Sequence, residues 1–157
     1  MLLKGKKIVL GVTGGIAVYK AVDLVSRLRK QGAEVRVVMT EHARQFVTPL
    51  TFKEISGNAV ATSMWNSNQE FNVEHIALAN WADVFVVAPA TANIIAKMAH
   101  GLADDLLSTT LLAAQAPIIV CPAMNTGMYE NALTQENITC LKEHGVTVMA
   151  PATGFLA

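Results

Sequence analysis

The chain has 157 residues and a mass of 16.8 kDa, the size of about one domain. Its 12 basic and 12 acidic residues cancel, which excludes nucleic acid or an anionic membrane as a partner held by bulk charge. Charged residues make up only 15% of the sequence, against about 25% in ordinary domains, so surface buried against further copies of the chain, a homo-oligomer, is expected. Hydrophobic residues reach 52%, yet the longest near-continuous apolar run, Val84 to Ala92, is far short of the ~20 residues of a membrane span. The opening Met1-Leu2-Leu3-Lys4-Gly5-Lys6-Lys7 leads into a strand-like run without a secretory cleavage pattern. Cys121 and Cys140 form neither a metal-ligand spacing nor a disulfide framework, which points to a reducing cytoplasm.

In chain order, strand character falls on residues 7–12, 34–39, a weaker 59–65, then 83–88, 117–121 and 146–149. Several of these runs are continuously apolar and β-branched, as in parallel strands covered on both faces. Helical spacing falls on residues 16–31, 41–47, 51–56, 73–81, 91–100, 105–114 and 134–144. The first helical segment, with Ala17, Ala21, Leu24, Val25 and Leu28 on one face, ends at Gly32 as a C-cap. Alternation of this kind predicts a doubly wound, Rossmann-like α/β fold with a mainly parallel six-stranded sheet. In such sheets ligands bind beyond the carboxyl ends of the strands. The segments expected there begin at Thr13, Thr40, Pro89, Pro122 and Pro151, and they hold most of the unusual small and polar residues.

Four of these segments, with a histidine outside them, could carry chemistry. Thr13-Gly14-Gly15-Ile16-Ala17 turns from a strand into a helix, where glycines admit a phosphate and free amides hold it. It departs from the dinucleotide fingerprint, since Thr13 and Ile16 stand in glycine slots, and Thr40 closes the second strand where a ribose-binding acid would be. A mononucleotide phosphate therefore fits better than NAD, and a plain tight turn is the alternative. In Pro89-Ala90-Thr91-Ala92-Asn93, Thr91 can cap a helix and Asn93 can face the crevice. His75 follows Asn72-Val73-Glu74 in the first turn of a short helix, where a neutral imidazole could act as a general base, or simply pack. Asn125, in Pro122-Ala123-Met124-Asn125-Thr126-Gly127-Met128, can hold a carboxylate without adding charge, with Met124 and Met128 beside it. Asp104-Asp105 reads as a helix cap rather than a metal pair, and Cys121 and Cys140 as small buried residues.

Taken together, these motifs resemble the flavin-dependent cysteine decarboxylases, the family of phosphopantothenoylcysteine decarboxylase and the lantibiotic peptidyl-cysteine decarboxylases. The resemblance covers essentially the whole chain. It rests on Gly14-Gly15-Ile16-Ala17 with Lys20, Asn72-Val73-Glu74-His75-Ile76, Pro89-Ala90-Thr91-Ala92-Asn93, Gly101-Leu102-Ala103-Asp104-Asp105-Leu106-Leu107, and Pro122-Ala123-Met124-Asn125 with Met128. It implies FMN, with the phosphate held by Gly14, Gly15, Ile16, Thr40 and the turn Thr91, Ala92, Asn93 and Ile94, and with Ala123 near the flavin. It also implies His75 as the active-site base, Asn125 on the substrate carboxylate with Met128 nearby, and a trimer or assembly of trimers with the site between subunits. The implied reaction, closest to the pantothenate branch, oxidises the cysteine moiety of 4'-phosphopantothenoylcysteine to a thioaldehyde. It then loses CO2 and reduces the enethiol to 4'-phosphopantetheine for coenzyme A.

The pantothenate members carry a Leu-Ala-Cys-Gly run, and this sequence ends at Phe155-Leu156-Ala157 where that cysteine would follow. The expectation is therefore a single FMN-binding decarboxylase domain over residues 1–157, truncated before a flap and, if the protein is bifunctional, a ligase domain. Gly15 and Ile94 stand where the family often has serine and threonine, each removing a hydroxyl donor. The readings set beside this one are a lantibiotic-type peptidyl-cysteine decarboxylase, a flavin prenyltransferase and a non-catalytic flavin-binding regulatory subunit.

Overall fold

The computed structural model describes residues 1–65 and 74–151. Five parallel strands, β1 (Lys7–Val12), β2 (Glu34–Met39), β3 (Val84–Ala90), β4 (Ile118–Pro122) and β5 (Thr147–Val148), form one sheet in the order β2-β1-β3-β4-β5. The strand order reverses between β1 and β3, so the chain leaves their carboxyl ends in opposite directions and opens a crevice there.

Two apolar cores lie on the two faces of the sheet, and period-2 alternation along β1 feeds both. Ile8, Leu10 and Val12 join the core under α1 (Val18–Lys30) and α2 (Pro49–Ser56), around Val25, Val35 and Phe52. Val9 joins the core under α3 (Glu74–Trp81), α4 (Ala92–His100), α5 (Leu106–Ala113) and α7 (Ala132–Glu143), around Phe85, Ile95, Leu107 and Ile138. Gly11 also faces this side. A Cβ there would lie 2.5 Å from Leu107 Cδ1, so the glycine is what lets α5 seat against β1.

Most predicted elements form within a residue or two of their expected bounds, and the differences have local causes. Residues 59–65 do not make a sixth strand. Ala61 alone pairs with β2, its amide donating to the Val37 carbonyl at 3.0 Å and its carbonyl accepting from Met39 at 2.9 Å. The helix expected over 41–47 shrinks to a 3-10 turn, Ala43–Gln45, and α2 then opens with Pro49 in its first turn. The first helix begins at Val18 with Ala17 as N-cap, two residues after Ile16, leaving the whole glycine turn outside it. A short α6 (Thr126–Glu130) stands where a loop was expected. The Asn72 cap and the segment after Pro151 lie outside the described residues. No helix among the described residues is long and apolar enough to cross a membrane.

Candidate active site

The crevice is built where four strand ends meet, and buried Thr13 ties two of them together. Its hydroxyl donates to the Pro89 carbonyl at 2.6 Å and accepts the Thr91 amide at 3.0 Å, while its own amide also reaches Pro89, at 3.3 Å. The Ala88–Pro89 peptide bond is cis. The third strand end joins through the Ala123 amide, which donates to Ala90 at 3.0 Å, and the fourth through Thr40, whose amide donates to Val12 at 3.1 Å. The sequence gives little sign of Thr13's part, since a hydroxyl in a glycine slot reads as a departure until both of its partners are seen.

With the strand ends fixed, backbone donors converge. The amides of Gly14, Gly15, Ile16 and Ala17 donate to no acceptor among the described residues. Opposite them Thr91 caps α4, its Oγ1 accepting from Ile94 at 3.2 Å, which leaves the amides of Ala92 and Asn93 outside the helix ladder. Thr40 Oγ1 accepts from Ala43 at 3.2 Å, so its own proton remains available to donate. Gly14 is required here by space rather than by its backbone angles. A Cβ on it would meet His42 Cβ at 2.4 Å and His42 C at 2.7 Å, whereas a Cβ on Gly15 would meet nothing within 4 Å. A close-walled pocket of amides and one hydroxyl suits a phosphate-like anion.

Two adjoining cavities, of about 410 and 230 Å³, sit over these donors and share Gly14, Thr91, Ala92 and Met128. The larger adds Thr13, Thr40, Asn93 and Ile94. The smaller adds Gly15, Ile16, Ala17, Ala123, Met124 and Asn125. Every site residue expected from the sequence is therefore brought together except His75. Ile94 takes part less directly than expected, since its amide belongs to the Thr91 cap and its side chain is buried in the core.

Asn125 is already committed at one end. Its Oδ1 accepts the Met128 amide at 3.0 Å as the cap of α6, and this turns the Nδ2 donors outward. His75 stands in the first turn of α3, away from both cavities, and its buried Nδ1 has no hydrogen-bond partner among the described residues. The other end of α3 is fixed by Arg36, whose guanidinium lies 4.3 Å from the Trp81 ring centre. Beside His75, burial raises the Glu74 carboxyl above its ordinary range. Burial also raises the Cys121 thiol, which agrees with a packed rather than a reactive cysteine.

Crevice, amide pocket and outward-facing asparagine are paired with a sequence match. The Flavoprotein family profile covers residues 2–157. The chain belongs to the Flavoprotein family. Within that family it is 52% identical over 157 residues to the coenzyme A biosynthesis bifunctional protein CoaBC of Haemophilus influenzae, covering 100% of this chain and 39% of that one. The chain thus spans about two fifths of the length of the curated relatives it matches. The flavoprotein fold is shared with the FMN-dependent cysteine decarboxylase SpaF, at a TM-score of 0.90 and 36% identity, covering 97% of this chain and 87% of that one. It is shared also with a PPC decarboxylase mutant complexed with pantothenoylaminoethenethiol, at a TM-score of 0.79 and 33% identity, covering 94% and 82%.

Proposed function

We propose that this flavoprotein binds FMN and decarboxylates 4'-phosphopantothenoylcysteine on the way to coenzyme A, as the decarboxylase part of a protein like CoaBC. The observation that carries the reading is the meeting of two sets of free amides, Gly14 to Ala17 and Ala92 to Asn93, with Asn125 across one pair of joined cavities. The 52% identity to CoaBC supports the substrate branch. The TM-score of 0.90 with SpaF, a cysteine decarboxylase, keeps a second reading beside it, a peptidyl-cysteine decarboxylase, but with 36% identity against 52% it weighs less.

The residues fit an FMN phosphate. The amides of Gly14, Gly15, Ile16, Ala92 and Asn93 and the Thr40 hydroxyl would hold it, with Ala123 and Met124 walling the adjoining cavity. When bound, FMN supplies the two-electron oxidation that gives the cysteine moiety an electron sink, and returns the electrons to the enethiol. Asn125 donates from Nδ2 to the substrate carboxylate and holds it until CO2 leaves. An imidazole nitrogen of His75 takes the thiol proton.

One copy of the chain does not bring His75 to the cavity, so the reading includes a trimer in which a neighbouring copy's His75 completes the site. Ile16, Tyr19 and Met128, exposed by 61, 58 and 49%, supply apolar surface around the crevice for such a contact.

The test is anaerobic incubation of the chain with phosphopantothenoylcysteine, following the flavin spectrum and the product mass together. Loss of CO2 is expected from the wild type, with the flavin bleached until the enethiol takes its electrons back. His75→Asn is expected to stay yellow and release none. Normal turnover by that variant would remove His75 from the mechanism, and an FMN-loaded wild type that releases no CO2 would reject the substrate.

A further inference from the structure

The larger cavity is rich in anion donors, yet two carboxylates, Glu41 and Asp105, also line it. A carboxylate beside a phosphate dianion opposes binding unless a cation cancels it. Asp105 cannot turn away. It is the N-cap of α5, its Oδ1 accepting the Ser108 amide at 2.8 Å and the Ser108 hydroxyl at 2.6 Å.

Each acid has a cation at hand, and the two pairs differ. Arg44 meets Glu41 at 3.3 Å with both side chains well exposed, an arrangement that water and salt screen. Lys97 is different. It lines the cavity with its side chain only 16% exposed, and its Nζ lies 2.8 Å from Asp104 Oδ1 and 3.8 Å from Asp105 Oδ2. Lys97 sits one turn beyond Asn93 on α4, on the same helix face as that residue. The hydrogen bond to Asp104 raises the Lys97 ammonium above its ordinary value, and the same bond lowers Asp104, so the ammonium keeps its charge across the neutral range.

We propose that Lys97, shared between Asp104 at 2.8 Å and Asp105 at 3.8 Å, is a specificity-determining residue, which offsets part of the Asp105 charge at the cavity wall and so lets the pocket accept the phosphate dianion of FMN over an uncharged flavin. The inference rests on the FMN reading above. Asp105 and Lys97 oppose one another in this scheme. Removing the lysine weakens phosphate binding, and removing the aspartate charge strengthens it.

The experiment titrates the flavin-stripped chain with FMN and with riboflavin by fluorescence quenching, at low and high salt. Lys97→Met is expected to lose about tenfold in FMN affinity at low salt and less at high salt, with riboflavin unchanged. Lys97→Arg keeps the charge and should match the wild type. Asp105→Asn keeps an N-capping side chain and should bind FMN severalfold tighter. Equal losses for both flavins in Lys97→Met would mark a purely structural lysine and overturn the inference, as would weaker FMN binding in Asp105→Asn. Should Lys97→Met not fold, Asp105→Asn decides alone. Binding of neither flavin by the wild type would reject the cofactor reading instead. The charge argument is then read from the thermal shift given by inorganic phosphate, which Asp105→Asn must enlarge or the inference fails.

Discussion

Gly14 and Gly15 are neighbours in the same turn, and the structure separates what each contributes. Alanine at 14 places a Cβ 2.4 Å from His42 Cβ, 2.7 Å from His42 C and 3.0 Å from His42 O. Two of these three atoms are backbone, so relief requires residues 40–42 to move by about an ångström, a normal carbon contact being roughly 3.5–4.0 Å. Overpacking of this kind costs about 1–3 kcal/mol. At roughly 2–4 °C per kcal/mol for a domain of this size, Gly14→Ala should melt about 2–12 °C lower. The same movement carries Thr40 away from the Gly14 amide, so FMN affinity should fall by at least tenfold. Gly15→Ala meets nothing within 4 Å and its backbone is not left-handed, so the melting temperature should stay within about a degree. Gly15→Ser fits the same open space and adds a hydroxyl, and should bind FMN severalfold tighter. The assay is a thermal melt of each apo variant beside an FMN titration. An unchanged melting temperature in Gly14→Ala, or a destabilised Gly15→Ala, would refute the steric account.

Thr13→Val keeps the shape but removes the hydroxyl that joins Pro89 and Thr91. Pro89 keeps the Thr13 amide at 3.3 Å, but the Thr91 amide is left unpaired, which should cost about 1–3 kcal/mol in a denaturant melt and loosen FMN. Asn125→Asp still caps α6 but sets a carboxylate against the substrate's own, so KM should rise at least about tenfold, or about 1.4 kcal/mol, with an unchanged melt. The Lys97–Asp104 link gives a pH signature. Asp104 is held below its ordinary range, so its contribution is present above the usual carboxylate values and lost as pH falls through its lowered one. Lys97 is held above its ordinary value, so its contribution is full below that value and lost as pH rises through the raised one. Asp104→Asn should therefore flatten both limbs of the stability-against-pH curve in chemical melts.

The local features were legible in the sequence because their causes are local. Continuous β-branched runs gave β1, β2 and β3 nearly to the residue. Thr91 and Asp105 announce their helices through hydroxyl and carboxylate caps, which need partners only three residues away. Most expected site residues lie immediately after strands, and parallel topology delivers the ends of parallel strands to one edge whatever the details of packing. Residues 59–65 escaped the same reasoning. Their apolar character suits a strand, but pairing depends on what lies beside them, and only Ala61 finds a ladder partner.

What tertiary structure alone decided are relations between segments far apart in sequence. Thr13 reads as an imperfect glycine slot until folding brings Pro89 and Thr91, 76 and 78 residues away, onto its hydroxyl. Gly14 reads as a flexible turn residue, but its requirement is the room that His42 leaves. The position of His75 outside the cavity of its own chain depends on how α3 packs, with Trp81 against Arg36. Lys97 belongs to an ordinary helical pattern until α5 sets Asp105 into the cavity wall beside it. Capping, propensity and chain direction are fixed by neighbours along the chain and can be read from it. Steric room, charge cancellation and the meeting of donors depend on distances through space, which the packed fold alone sets.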